Sequence, residues 1–81
     1  MYSVYGILSE SNGRVYLGQT KDVNERLKQH NNGYVKSTST DVPWRIIAIE
    51  LFSTREEARW RERQLKKSKG ARDKWLKRFR I

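Results

Sequence analysis

The stretch that decides the fold is Tyr2-Ser3-Val4-Tyr5-Gly6-Ile7-Leu8-Ser9-Glu10-Ser11-Asn12-Gly13-Arg14-Val15-Tyr16-Leu17-Gly18. Tyr2 to Leu8 is rich in aromatic and branched residues, a strand composition. Asn12-Gly13 is a turn signal, because both residues tolerate the positive φ that tight hairpins need. Arg14 to Gly18 reads as the returning strand. Loop length sets the register, and register decides which side chains meet. A two-residue turn at Asn12-Gly13 puts Tyr5 and Tyr16 on one face but about 13 Å apart. A loop at Ser9 to Asn12 pairs them directly, and a loop at Glu10 to Gly13 leaves them two residues apart. If the tyrosines act together, the longer loops are favoured. Cross-strand tyrosines are also ordinary sheet packing.

Downstream, Thr20 or Asp22 can cap a helix running to about His30, with Asn31-Asn32-Gly33 as its stop. Residues 34–43 read as a loop with Ser/Thr clusters and the only proline, Pro43. Trp44 to Phe52 is a third strand. Ser53-x-x-Glu56 is a capping box, opening a second helix that runs to about Lys69. Gly70 is a stop signal, and Ala71 to Arg80 forms a short third helix. The order β-β-α-β-α-α predicts an α+β domain, a three-stranded antiparallel sheet flanked by helices.

A chain of 81 residues is enough for a single domain, residues 1–81. Its longest apolar run, Ile46-Ile47-Ala48-Ile49, is far short of a membrane span. Met1-Tyr2-Ser3-Val4 has no signal-peptide character, and without cysteine there is neither a disulfide framework nor a thiolate metal site. A cytoplasmic protein, monomeric or weakly dimeric, is the expectation. The net charge is +9 and uneven. Residues 1–53 hold six Lys/Arg against five Asp/Glu, whereas residues 54–81 hold twelve against four, a net +8. Such a basic half points to a polyanion, nucleic acid first. A solvated helical face is the plainer explanation.

Five polar residues stand out. On the first helix, Val23 and Leu27 mark the buried side, and Arg26 and His30 share their stripe, about 100° wide. A charged Arg and a His aimed at a sheet need partners or a cleft. Each alone has an ordinary explanation: Arg26 as a snorkelling stem, His30 as a boundary or helix-terminal histidine. On the second helix, Ala58 and Leu65 face inward, and Glu62 lies about 40° from Ala58. It is the one carboxylate aimed inward there, as a metal ligand or as a partner for Arg61 or Arg26. Trp60 reads as packing with Trp75 and Phe79 in a satellite cluster. Tyr5 and Tyr16 complete the set. Accidental convergence of all five is harder to accept than any one alone.

Ser3-Val4-Tyr5, Tyr16-Leu17-Gly18-Gln19-Thr20, Arg26-x-x-x-His30, Pro43-Trp44 and Glu62-x-x-Leu65-Lys66 together resemble the GIY-YIG endonuclease family. The similarity is to small standalone members related to the N-terminal nuclease domain of the UvrC repair protein. Ser3 replaces the motif glycine and Leu17 the motif isoleucine. A late polar residue, often Asn in the family, has no counterpart after Asn32 unless Gln64 supplies it. The resemblance implies phosphodiester hydrolysis with one Mg²⁺ or Mn²⁺, DNA before RNA as substrate, and a role in DNA repair or recombination. It makes Tyr5, Tyr16, Arg26, His30 and Glu62 the catalytic residues and Glu62 the metal ligand. Tyr5 is the candidate general base, its ordinary pKa of about 10 brought down by Arg26 and the ion, with Tyr16 and His30 also eligible. A basic nucleic-acid-binding module without catalysis is the rival.

Overall fold

The computed structural model describes all 81 residues, Met1–Ile81. Three strands form one antiparallel sheet: β1 (Tyr2–Ser9), β2 (Val15–Thr20) and β3 (Trp44–Phe52), in the order β2-β1-β3. Three α-helices follow the expected order: α1 (Val23–Asn31), α2 (Arg55–Lys67) and α3 (Lys69–Arg78). The hairpin closes with Ser9 N–H donating to the Arg14 carbonyl at 2.8 Å, which leaves Glu10 to Gly13 as the loop. Tyr5 therefore pairs with Gly18, and Tyr16 with Ile7, two residues along. Gly13 sits at φ +77°, the left-handed region its missing Cβ permits.

The sheet separates two small cores. On one face Val4, Leu17 and Ala48 pack against Ala58 and Leu65 of α2 and Trp75 of α3. On the other, Tyr5, Ile7 and Trp44 pack with Tyr16, Ile46 and the Val23 and Leu27 side of α1. Alternation along β1 makes this division: Val4 goes one way, Tyr5 and Ile7 the other. A bulge shifts the β1–β3 register between Gly6 and Ile7.

Several boundaries differ from the expectation. The first capping box is Thr54 with Glu57, not Ser53 with Glu56: Thr54 Oγ1 accepts from Glu57 N–H at 3.2 Å. Both pairs fit the S/T-x-x-E pattern, and the helix begins where β3 releases the chain. Gly70 does not stop a helix. Ser68 ends α2 and also caps α3, accepting from Ala71 N–H at 3.2 Å, so Gly70 lies in the first turn of α3. The 34–43 segment contains a short 3₁₀ turn at Lys36–Thr38. Trp75 belongs to the main core, while Trp60 is 50% exposed. After α3 the chain runs beside β3, with Ile81 N–H donating to the Ile47 carbonyl at 3.1 Å.

Candidate active site

The edge strand β2 brings the two helical layers together. Helix α1 lies on one face of the sheet and α2 on the other, and both reach residues of β2 or its neighbour β1. Tyr5 projects from central β1 across β2 at Gly18. A Cβ at Gly18 would stand 2.5 Å from the Tyr5 hydroxyl oxygen. Only glycine lets that ring lie where it does, so the motif glycine is a packing requirement.

Beneath this edge lies a directional hydrogen-bond chain. Thr38 Oγ1 donates to the Val35 carbonyl at 3.2 Å, so its oxygen accepts from His30 Nδ1–H at 2.7 Å. His30 Nε2 is then the acceptor for the Tyr5 O–H at 2.9 Å. Trp44 Nε1–H donates to the Thr38 carbonyl at 2.9 Å and fixes the far end. The Tyr16 ring meets His30 edge-on at 5.1 Å between centroids. His30 is 0% exposed and Tyr5 is 1% exposed. Burial, with Arg26 nearby, pushes the His30 pKa down to about 4, so the imidazole is neutral.

Tyr5 corrects one expectation. Burial pushes its pKa up to about 12, outweighing the lowering by the neighbouring Arg26 guanidinium; Tyr16 and Glu62 also raise it. Removing a hydroxyl from water penalises its anion more than one half-buried cation can restore. Tyr5 therefore holds its proton at neutral pH.

Arg26, half-buried on α1, donates from Nη1 to Gln29 Oε1 at 2.8 Å. Glu62 of α2 pairs with neither Arg61 nor Arg26. Its Oε2 accepts from Lys66 Nζ at 2.7 Å, and its side chain is 21% exposed. Lys66 Nζ also stands 5.7 Å from the Tyr16 ring centroid. Arg61 goes to Glu50 on the other side of α2, at 3.1 Å. An i,i+4 pair of this kind stabilises a helix by only about 0.3–0.5 kcal/mol, so a stronger cation or an anion can separate it. No cluster of three or more His, Cys, Asp or Glu side chains gathers here.

Tyr5 and Tyr16 thus both meet His30, and Arg26 and Glu62 lie close enough to shift Tyr5. The patch is shallow, with Tyr5 and His30 as its floor; no cavity opens over Tyr5 itself. Gln64 lines the groove between α2 and α3 with Trp60 and Trp75, across the helix from Glu62, and does not supply the late polar group. Thr38 was missed by sequence reasoning. Nothing distinguishes it from Ser37, Ser39 and Thr40 until the 3₁₀ turn places it under His30.

A hairpin and two helices that set tyrosines, an arginine, a histidine and a glutamate along one sheet edge define a small nuclease-type domain. The family model described as the GIY-YIG catalytic domain matches residues 1–75, and the chain belongs to the GIY-YIG family, a nuclease superfamily. It is 38% identical over 61 residues to the UPF0213 protein of Staphylococcus aureus strain Mu3, covering 74% of each chain. The UPF0213 proteins of strains Mu50 and N315 match equally, at 38% over 74% of each chain. No solved structure matches the chain. No helix is long and apolar enough to cross a membrane.

Proposed function

We propose that this chain is a cytoplasmic, metal-dependent endonuclease that hydrolyses DNA phosphodiesters with little sequence preference. The observation that carries the reading is the chain from Tyr5 through His30 to Thr38, flanked by Arg26 and Glu62. Simple binding of nucleic acid needs neither a buried Tyr–His relay nor a carboxylate beside it.

The donor set suits one hard cation. Mg²⁺ takes one or two carboxylates and fills its remaining positions with water and phosphate oxygens. Glu62, on the rim and released from Lys66, would hold it. When bound, such an ion stabilises charge on the phosphate and the departing oxygen.

The chain's own groups do the rest. The Arg26 fork suits two non-bridging phosphate oxygens. Arg26 lies beside the buried Tyr5 hydroxyl, so its turning toward a phosphate is the movement that would let a water reach that hydroxyl. A Tyr5 phenol with a pKa near 12 is a poor base alone. Relayed, it takes a proton from the attacking water while passing its own to His30 Nε2. The phosphate's negative charge offsets Arg26 and makes the imidazole a better acceptor. Tyr16 packs against His30 and walls the water's position.

Glu62→Gln tests this reading. It keeps the shape and removes the anion, so Mg²⁺- or Mn²⁺-dependent nicking of plasmid DNA should fall by two or more orders of magnitude, roughly the scale of a lost catalytic group. DNA affinity should hold or tighten, since a negative charge near phosphate is gone. Wild-type protein that binds DNA but cuts no DNA or RNA form with either metal would make this a binding module.

A further inference from the structure

A second feature adjoins the patch on its Tyr16 side. A hollow of about 300 Å³ is lined by Val15, Tyr16, Leu17, Leu65, Lys66, Lys69 and Arg72. It lies where the open edge of β2 meets the α2–α3 junction. Its floor is apolar, from Val15, Leu17, Leu65 and the Tyr16 ring. Its rim is three cations with no acid among them. The volume is at the low end for a small-ligand site, room for about one nucleotide unit and not for a helix.

Arg72 gives the hollow its character. Its Nε–H is shut off from solvent and donates to nothing. The nearest carboxylate oxygen, on Asp73, is 3.9 Å away, beyond hydrogen-bond reach. A shielded donor without an acceptor is costly, and an anion that draws the partly exposed guanidinium toward it removes that cost. Lys69 has no ion-pair partner. Lys66 stands on the shared boundary, at 2.7 Å from Glu62 and over Tyr16.

We infer that this hollow is a second phosphate site, taking the phosphate and sugar next to the one held at Arg26 on the same strand. The cationic rim grips the phosphate, with Arg72 as the fork. The apolar floor carries the sugar. The only polar groups on its rim, Lys66, Lys69 and Arg72, are committed to the phosphate, so the site places the strand without selecting sequence. A carboxylate of an acidic protein would use the cations but leave the apolar floor uncovered. The inference rests on the nuclease reading for its choice of strand, but its test is binding alone.

Oligonucleotides carrying one neutral methylphosphonate, moved stepwise along the strand, are titrated with the full chain in chelator, so the strand stays whole. Wild-type protein should lose about tenfold in affinity at one position beyond the phosphate bound at Arg26, the size of a lost charged contact. Lys69→Gln with Arg72→Gln should weaken every oligonucleotide, flatten the salt slope by about two, and abolish sensitivity at that position. Lys77→Gln with Arg80→Gln removes the same charge from a separate hollow beside Leu8 and Arg45. That control should keep the position-specific loss. Equal weakening by both double variants, or no single sensitive position beyond Arg26, would overturn the site. A chain that cleaves nothing but shows the position-specific loss keeps the second site and loses only the nuclease reading.

Discussion

His30 is the most consequential single side chain. It is fully enclosed, accepts from Tyr5 and donates to Thr38, and is held neutral with a pKa near 4. In the unfolded chain its pKa is about 6.5. Between those values the unfolded state binds more protons, so stability rises with pH across that window. The contribution is fully present above about pH 6.5 and is lost as pH falls through 4. Urea denaturation at pH 7 and pH 4 should show a loss on the order of 3 kcal/mol that is missing from His30→Gln. An identical pH profile for both proteins would mean that this histidine is not buried neutral. The same residue explains why Tyr5→Phe costs more than a hydroxyl. It removes the relay and also leaves Nε2 without a donor, about 1–3 kcal/mol for a buried acceptor.

At the scale of elements, the start of α2 tests which of two overlapping signals the chain uses. Thr54 caps, and Glu57 reaches back to it. Thr54→Ala should cost about 1 kcal/mol of unfolding free energy, while Ser53→Ala should stay within about 0.5 kcal/mol. The reverse ranking would move the helix start by one residue. The local signal could not choose, because Ser53-x-x-Glu56 and Thr54-x-x-Glu57 satisfy it equally. Strand β3 was legible from Trp44 to Phe52 because seven of its nine residues are apolar, most of them branched or aromatic, and Pro43 and Ser53 bound it. The α2–α3 break was misread at Gly70. Ser68 makes it, by capping, and a glycine in a first turn is tolerated when α3 buries Trp75 against the sheet. The arrangement of Arg26 and His30 on one stripe of α1 was legible from their four-residue spacing. The hairpin register was open among three loops, since a turn signal at Asn12-Gly13 marks where the chain reverses but not how many residues the loop takes. The Tyr5 pKa was misjudged because charge neighbours can be guessed from sequence, but the depth of burial that outweighs them belongs to the packed fold.

For the whole molecule, charge is the governing property. Eight of the nine net positive charges fall in residues 54–81, on α2, α3 and the turns around them. Twelve Lys/Arg in that segment face four acids, and Glu62 is already tied to Lys66. Nucleic acid meeting this surface exchanges condensed counterions for lysine and arginine, and each phosphate so neutralised adds about 0.9 to the slope of log affinity against log salt. Four such contacts would give a slope near −3.6, about a hundredfold loss of affinity between 50 and 200 mM salt. Filter binding or anisotropy across that range, on several unrelated duplexes, should return similar slopes for all of them. Similar slopes follow where lysine and arginine meet phosphates, because phosphate contacts carry no sequence information. A flat salt response would remove nucleic acid as the partner of the basic half. A steep response on one sequence alone would mean that base reading, and not the phosphate backbone, holds the substrate.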